Sequence, residues 1–417
     1  MGFEKLQSIM RDRIYLICHE FSPDQGSECK SGWNTAIELN KIVDLIIVAA
    51  ETNQWGTSNY RQAVERDSRA DSLNIIWIPQ PKKHTRPKGF GSNILVQATY
   101  FWRLRAWNSA VIEELKCHKI DILHYFNHIS FRAYDKRFSS LAAKIVIGPI
   151  SGTQILPVGF LRFGFSYNCN LIFRSVANIV HKFFKRSTFK SANISTIFAV
   201  TKDDISYFKK IHGRVVALSD MAQDSKSGEI EKSKNGLSGN NRINLLWVGR
   251  LDNLKCLDIL LEVFIRSNIV NECYELTVLG DGTNFGKYQE IIDRHDLRVI
   301  LKGGVPFTLV KEFMRQSDLM VHSSLKEAGG AVVSEAMSNR LPVICHDSFG
   351  FSVHFDDHFL IKVPFISFEV SVNEFQKELV NIARDKSIIS QLRSNIDCQF
   401  RPSTWRDHAA LISEAYK

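Results

Sequence analysis

The chain has 417 residues, of which 44% are hydrophobic and 23% are charged. These proportions are ordinary for a globular protein, and the length exceeds what one hydrophobic core usually holds, so two domains are expected. No run approaches the ~18 consecutive apolar residues of a membrane span, and the first residues lack the apolar segment of a secretory signal. The eight cysteines form no CxxC pair, which is typical of reduced thiols in a cytoplasmic protein.

The net charge of +9 is unevenly distributed along the chain. Residues 1–220 contain 30 Lys/Arg and 18 Asp/Glu, a balance of +12, whereas residues 221–417 contain 23 and 26, a balance of −3. A basic half can meet an anionic lipid surface, a nucleic acid or an acidic substrate, or it can simply be solvated. Charge alone does not separate these alternatives.

The first half alternates short apolar runs with helical patterns. Continuous β-branched runs are typical of strands buried on both faces of a parallel sheet. The predicted strands are 13–22, 44–51, 74–79, 121–126, 144–150, 195–201 and 214–219. The alternation predicts an α/β domain with right-handed crossovers over residues 1–223.

Residues 224–241 interrupt the pattern with a polar run rich in Ser, Gly, Asn and Lys, which predicts a linker or exposed loop. Strand patterns then resume at 243–249, 275–280, 298–304, 319–324 and 342–347. An apolar helix face is predicted at Leu257, Leu260, Leu261, Phe264 and Ile265. We therefore expect a second doubly wound domain over 242–399, with ligands at the carboxyl ends of its strands.

Positive charge follows the first strand of this second domain. Gly249-Arg250 ends that strand, and Lys255 opens the next helix. Such a turn offers backbone N–H groups as well as cations, and both suit a bound diphosphate. The alternative is a pair of surface residues beside a turn. Gly280-Asp281-Gly282 follows the next strand and predicts either a ligand-facing loop or only a common turn.

Two carboxylates, Glu327 and Glu335, flank a helix predicted to begin near Ala331. Gly329 and Gly330 would let backbone N–H groups approach a ligand closely. Carboxylates repel phosphate but accept two hydrogen bonds from a vicinal diol, which ribose and hexoses present. The pair therefore suits the sugars of a nucleotide sugar. The alternative is one loop carboxylate and one helix-capping carboxylate.

Together these motifs resemble the retaining glycosyltransferases of family 4, which have the GT-B fold of two Rossmann-like domains facing a central cleft. The resemblance is carried by VGRLDNLK (248–255), LGDG (279–282) and EAGGAVVSEAMSNRLPVI (327–344). A bacterial polysaccharide branch is indicated by SPDQGSECKSGWN (22–34), DILHYFNHISFR (121–132) and IGPISG (147–152). The resemblance implies that the second domain binds the donor and that the first domain binds the acceptor. It also implies that residues 400–417 form a helix crossing back to the first domain.

The resemblance also implies roles for individual residues of the donor site. Arg250 and Lys255 would bind the diphosphate and assist its departure. Glu327 would hold the donor sugar, and Glu335 the ribose. The loop that contains Gly26 would face the donor phosphates and the acceptor.

A catalytic histidine of the cleft is implied at His124, with His128 as a second candidate. Several positions depart from the family pattern. They are Met221, Cys256, Ala328-Gly329-Gly330, Asn339-Arg340 and Asp347-Ser348-Phe349-Gly350. None of these departures removes a charged site residue, but they leave the identity of the donor sugar undetermined.

We therefore expect a glycosyltransferase that uses a nucleotide-diphosphate sugar, of the UDP or GDP type, and acts on a saccharide or lipid-linked saccharide. No Asp-x-Asp triplet occurs, so no metal ligand and no cofactor are predicted. The aromatic and basic segments 101–111 and 160–190 suit the anionic cytoplasmic face of the inner membrane, or a partly buried helix pair. No nucleic-acid module accompanies them. The alternatives are a nucleotide-sugar epimerase or hydrolase, and an inactive scaffold of a polysaccharide-assembly complex.

Overall fold

The computed structural model describes residues 12–81, 92–161, 165–224 and 242–417, so the predicted linker lies outside the described residues from position 225 onwards. The chain divides into two compact units. Unit 1 holds the described residues of Met1–Ile155, Phe173–Ser225 and Ser403–Lys417. Unit 2 holds those of Leu156–Ile172 and Lys226–Pro402.

Unit 1 contains a seven-stranded parallel sheet in the order β3-β2-β1-β4-β5-β6-β7. Its strands are β1 (Ile14–Cys18), β2 (Leu45–Ala50), β3 (Asn74–Ile78), β4 (Ile120–Asn127), β5 (Ala142–Ile150), β6 (Ile194–Ala199) and β7 (Val215–Ala217). The strand order reverses between β1 and β4. Ligands of open α/β sheets bind beyond the carboxyl ends of the strands at such a reversal.

Unit 2 repeats this arrangement with six parallel strands in the order β10-β9-β8-β11-β12-β13. They are β8 (Ile243–Val248), β9 (Tyr274–Leu279), β10 (Val299–Leu301), β11 (Leu319–His322), β12 (Val343–His346) and β13 (Leu360–Val363). The reversal lies between β8 and β11. The α/β fold class, with two doubly wound sheets, is therefore confirmed, although β13 was not predicted.

The helices follow the strands in chain order. Those up to residue 273 are α1 (Ser27–Leu39), α2 (Tyr60–Glu65), α3 (Ser92–Leu115), α4 (Phe165–Lys185), α5 (Lys202–Lys209), α6 (Asp258–Arg266) and α7 (Asn268–Cys273). The later ones are α8 (Phe285–His295), α9 (Phe307–Gln316), α10 (Ala331–Ser338), α11 (Phe351–His354), α12 (Phe368–Arg384), α13 (Ser387–Gln399) and α14 (Trp405–Ser413). None of these helices, within the described residues, combines the length and apolarity needed to cross a bilayer.

The apolar face predicted near residue 260 forms the buried side of α6. Leu260, Leu261 and Phe264 lie in the core of unit 2 with Leu257, and Ile265 packs against it. Each fully buried side chain of this size stabilises the fold by roughly 1.5–3 kcal/mol relative to exposure. Burial of α6 fixes the direction of the loop that precedes it.

The chain beyond residue 402 belongs to unit 1. A capping box starts α14, in which Thr404 and Asp407 bond each other's backbone N–H groups. The helix then packs against α1, and Ala409 and Ile412 share a buried cluster with Trp33. This segment therefore completes the core of unit 1.

Residues 156–160 belong to unit 2, which the contiguous range 1–223 did not anticipate. Phe160 stacks on Phe365 with ring centroids 4.6 Å apart, and Gly159 forms a parallel bridge with Ser367. A Cβ at Gly159 would lie 2.3 Å from the Cβ of Ser367, so only glycine allows this approach.

Candidate functional site

Two glycines hold the loops after β8 and β9 against each other. Gly280 has a φ of +140°, and a Cβ there would lie 1.8 Å from the carbonyl oxygen of Gly249. A Cβ at Gly282 would lie 2.5 Å from the carbonyl oxygen of Leu251. Packing thus requires glycine at both positions, whereas Asp281 between them is exposed. The motif has a structural reason, and only Asp281 of the three offers a side chain to a ligand.

Lys255 forms an ion pair with Oε1 of Glu327, which lies 72 residues further along the chain. Nε2 of His322 donates a hydrogen bond to the same Oε1 over 3.0 Å, since a carboxylate can only accept. Within the described part of the chain both contacts meet Oε1, so Oε2 can accept from a ligand. The three side chains lie where β8 and β11 end, at the strand reversal of unit 2.

The charge of Glu327 is held by this arrangement. Burial by itself raises the pKa of Glu327, but the positive charge of Lys255 and the hydrogen bond from His322 outweigh it and lower the pKa to about 2. Glu327 is therefore an anion at any physiological pH. A fixed anion beside a cation suits the junction of a sugar with a phosphate, because the two ligand groups need opposite charges nearby.

Hydrogen bonds fix the two loops that carry this ion pair. Oδ1 of Asp252 accepts from the backbone nitrogens of Leu254 and Lys255, each at 3.0 Å. The hydroxyl of Ser323 donates to the carbonyl oxygen of Cys256 over 2.9 Å. The loop after β8 is thereby joined to the loop after β11. These bonds fix the backbone of Lys255 independently of the ion pair that its side chain forms with Glu327.

Arg250 is placed differently from Lys255. Its side chain is 72% exposed, and its guanidinium lies 3.2 Å from Asp252. An exposed ion pair of this kind contributes little to folding, about 0–1 kcal/mol. Arg250 can therefore turn towards an anionic ligand at small cost.

Packing also requires glycine at Gly330, just before α10, and at Gly350, after β12. Gly330 has a φ of +71°, and a Cβ there would lie 2.5 Å from the ring of Phe351. The Cα of Gly329 would lie 2.6 Å from a Cβ at Gly350. The loop before α10 thus packs closely against the segment after β12. Because it contains two glycines, this loop presents backbone groups rather than side chains at these two positions.

The helix α10 begins at Ala331 as predicted, and Val333, Ala336 and Met337 form its buried face. Glu335 lies in its second turn and is half-buried. The N-terminal turn of a helix favours an anion near its N–H groups. Gly329, Gly330 and Ala331 thus occupy a position where a phosphate or carboxylate could be bound.

His124 requires a correction. Strand β4 continues to Asn127, so His124 lies inside the strand rather than at its end. It is fully buried, with Nδ1 2.6 Å from the hydroxyl of Tyr416 and Nε2 2.6 Å from the carbonyl oxygen of Gly148. Burial lowers the pKa of His124 to about 4. Both ring nitrogens are engaged inside the core, so His124 is a structural residue and not the catalytic histidine that we predicted.

A second group of titratable side chains lies at the strand reversal of unit 1. Glu20 follows β1, and its carboxylate accepts hydrogen bonds from the hydroxyl of Tyr60 and, over 3.3 Å, from Sγ of Cys29. Nδ1 of the buried His19 lies 3.3 Å from the same carboxylate. Burial raises the pKa of Glu20, but His19, Tyr60 and their neighbours lower it to about 2.

Glu28 belongs to the same group but has the opposite tendency. It accepts a 2.6 Å hydrogen bond from the backbone nitrogen of Ile129, and it lies 3.6 Å from Nδ1 of His128. Burial and then the charge of Glu20 raise the pKa of Glu28 to about 7. Nδ1 of His128 accepts from the backbone nitrogen of Ser130 over 3.0 Å, so the proton of the neutral ring lies on Nε2. Burial lowers the pKa of His128 to about 3.

Gly26 immediately precedes α1, two positions before Glu28. A Cβ at Gly26 would meet nothing within 4 Å, so packing does not require glycine there. His19, Glu20 and His322 were not among the site residues predicted from the sequence. A usable signal existed, because each is a polar residue at the end of an apolar strand or directly after it.

Part of the chain resembles a known protein family. Residues 229–394 match the family model described as "Glycosyl transferases group 1". The GPI3 subunit of phosphatidylinositol N-acetylglucosaminyltransferase from Saccharomyces cerevisiae is 26% identical over 240 residues, 56% of this chain and 52% of that protein. The chain thus spans about half the length of this curated relative.

Solved structures resemble the chain over nearly its whole length. WaaG, a glycosyltransferase involved in lipopolysaccharide biosynthesis, has a TM-score of 0.58 at 18% identity, covering 96% of this chain and 99% of WaaG. Alr3699/HepE from Anabaena, solved with UDP and glucose, has a TM-score of 0.53 at 15% identity, covering 97% and 99%. At these identities the likeness shows the fold, which is GT-B.

Proposed function

We propose that this protein transfers a sugar from a nucleotide-diphosphate donor to a saccharide or lipid-linked saccharide acceptor, with retention of anomeric configuration, during synthesis of a bacterial surface polysaccharide at the cytoplasmic face of the inner membrane. The observation that carries this proposal is the contact of Lys255 and His322 with one oxygen of Glu327 at the strand reversal of unit 2. The family match over residues 229–394 supports the reaction class. UDP in HepE and the role of WaaG in lipopolysaccharide biosynthesis support the donor and the pathway class.

The donor is held by charges of both signs. Lys255 and the exposed Arg250 meet the diphosphate, and the N-terminal turn of α10 adds backbone N–H groups. Glu327 uses its Oε2 to accept from hydroxyls of the sugar, and Glu335 accepts from the ribose. No metal ion is required for this neutralisation, since two cations face the leaving group.

The chemical step breaks the bond between the anomeric carbon and the diphosphate oxygen while a bond to the acceptor oxygen forms. Negative charge grows on the departing diphosphate, so Arg250 and Lys255 stabilise the transition state more than the ground state. Glu327 keeps the sugar in place beside them. His124 takes no part.

The acceptor is bound by unit 1, where Glu28 and His128 replace His124 in the proposal. The Glu28 carboxyl group lies 3.6 Å from Nδ1 of His128, and the ring carries its proton on Nε2, so the pair offers an acceptor and a donor to hydroxyl groups of the acceptor. Because Glu28 titrates near neutral pH, it can also take up a proton that the acceptor hydroxyl loses. The nearby charge of Glu20 contributes to this raised pKa of Glu28.

A ligand screen tests the donor site first. The purified protein is heated with a panel of nucleoside diphosphates and nucleotide sugars. The panel members that share one nucleobase should raise the melting temperature, and Glu335→Ala should abolish that increase. Glu312→Ala, which changes an exposed carboxylate on α9, should keep the full increase. If no panel member stabilises the wild-type protein, the scaffold alternative replaces the proposal.

Product analysis then tests the reaction. With the identified donor and a mixture of saccharide acceptors, proton NMR should show a glycosidic product with the anomeric configuration of the donor. Turnover at the same rate without any acceptor would instead indicate a hydrolase or an epimerase. An inverted product would contradict retention but not glycosyl transfer.

A further inference from the structure

The outward face of α4 carries large apolar side chains in solvent. Phe183 and Phe184 are 78% and 71% exposed. Phe173, Val176, Ile179 and Val180 are each at least 39% exposed. The spacing of these six residues places them along one side of the helix. We call them the α4 apolar face.

The opposite side of α4 fixes this orientation. The side-chain amide of Asn178 is buried and donates to the carbonyl oxygen of Gln154 over 2.5 Å. Nζ of Lys185 donates to the carbonyl oxygen of Tyr134 over 2.6 Å. Because the polar anchors attach the helix to unit 1, the apolar face cannot roll inward without breaking them.

The chain around α4 is entirely basic in its charged residues. No Asp or Glu occurs between Asp135 and Asp203. The same stretch contains Lys136, Arg137, Lys144, Arg162, Arg174, Lys182, Lys185, Arg186, Lys190 and Lys202. Arg186 and Lys190 are exposed directly after the helix ends. An exposed apolar row is therefore bordered by cations with no nearby acid in sequence.

We infer that the α4 apolar face docks onto the surface of an anionic lipid bilayer. A bilayer offers an apolar interior for the Phe and Val side chains and anionic headgroups for Arg186 and Lys190, and amphipathic helices lying in the interface combine these same residue types. A second copy of the chain would fit worse, because a symmetric contact would bring the same cations together. This surface would bind lipid whether or not the protein transfers sugar.

Vesicle flotation tests the inference with the full chain. The wild-type protein should float with vesicles of phosphatidylglycerol and phosphatidylcholine at 0.1 M salt, to an extent of about tenfold or more above pure phosphatidylcholine vesicles, and the excess should fall at 1 M salt. The double variant Phe183→Ser/Phe184→Ser should lower the partition coefficient at least tenfold, since two phenyl rings that would enter the bilayer are replaced by hydroxyl groups. Its melting temperature should stay unchanged, as both rings are exposed.

Phe307→Ser is the matched control, because Phe307 is a 53% exposed phenylalanine at the start of α9 in unit 2. It should float like the wild type. Equal flotation of the double variant and the wild type would overturn the inference, as would equal binding to both kinds of vesicle. A wild-type dimer that the double variant converts to a monomer, with no flotation of either, would show instead that a second copy covers this face.

Discussion

The two strand reversals of this molecule carry carboxylates in opposite electrostatic states. In unit 2, Glu327 is held as an anion by Lys255 and His322, with its pKa lowered to about 2. In unit 1, Glu28 stands beside the charge of Glu20 and its pKa is raised to about 7. The same topology thus presents one carboxylate that keeps its charge and one that can exchange a proton near neutral pH.

The difference follows from what surrounds each carboxylate. Unit 2 places a Lys beside its Glu, whereas unit 1 places a second Glu there and a histidine that burial keeps neutral. A fixed charge suits binding of a charged donor, and a titratable group suits contact with a hydroxyl that must lose a proton. The contrast leads to four experiments.

Removing the cation from unit 2 should have the largest effect. In Lys255→Met, Glu327 keeps only His322, and the diphosphate loses a partner. We expect kcat/KM to fall by about a hundredfold or more, which matches the loss of one transition-state contact of ~3 kcal/mol. Stability should fall as well, because a buried carboxylate loses its counter-charge. Lys377→Met, which removes an exposed helix pair with Glu374, should leave both quantities unchanged.

Arg250→Ala should lower activity without lowering the stability of the fold. We expect kcat/KM to fall well over tenfold, because the proposed mechanism uses the exposed guanidinium to stabilise the departing diphosphate. The melting temperature should stay within a degree or two of the wild type, since the pair with Asp252 is exposed. Unchanged turnover would remove Arg250 from its role. Arg294→Ala, at an exposed pair on α8, is the control.

The contributions of Glu327 and Glu28 to stability should depend on pH with opposite signs. The folded pKa of Glu327 is depressed, so its contribution is present above its ordinary 4.5 and is lost as the pH falls towards 2. The folded pKa of Glu28 is raised, so stability is greatest below 4.5 and declines as the pH rises through 7. Glu28→Gln, which keeps an acceptor for the nitrogen of Ile129, should therefore flatten the decline between pH 5 and 7.

Denaturant unfolding at several pH values measures this effect. At pH 7.5 we expect Glu28→Gln to be more stable than the wild type by about 1 kcal/mol, a magnitude limited by the partial exposure of the side chain. Glu38→Gln, on the same helix, should retain the wild-type slope. If Glu28→Gln still loses stability from pH 5 to 7, another group titrates there.

The smallest effect concerns the backbone that carries Lys255. Cys256 has a φ of +50°, in the region where residues other than glycine are strained. Cys256→Gly should therefore be at least as stable as Cys256→Ala, with a gap of roughly 1 kcal/mol measured by denaturant unfolding. At Cys345, inside β12, the order should reverse, because alanine is normally favoured over glycine within a regular element. The same order at both sites would contradict the assignment of strain.

The sequence was sufficient to predict the strands because parallel strands buried on both faces leave a strong apolar signal. The edge strand β13 was not predicted because it has only four residues and follows a charged loop, so its apolar signal in the sequence is weak. The resemblance implied that His124 faces the cleft, but His124 lies inside β4 with its ring buried in the core. Contacts such as that of His322 with Glu327 form through space, so spacing along the chain could not predict them.

The departures from the family pattern gain a physical interpretation from the backbone. Cys256, Arg340 and Phe349 stand where the resemblance leads one to expect glycine, and their φ values are +50°, +61° and +66°. The left-handed conformation is therefore kept although the residue that adopts it easily is not. These substitutions preserve the loop shape, so they give no reason by themselves to expect an inactive protein.

The packing of α14 against α1 has a consequence for how the chain folds as it is made. Residues that finish the core of unit 1, including Ile412 and Tyr416, leave the ribosome after all of unit 2. The core of unit 1 therefore lacks these residues until unit 2 has been synthesised, whereas unit 2 already has all of its strands. The unit whose synthesis starts earlier is thus the later core to close, which reverses the usual order of folding during synthesis.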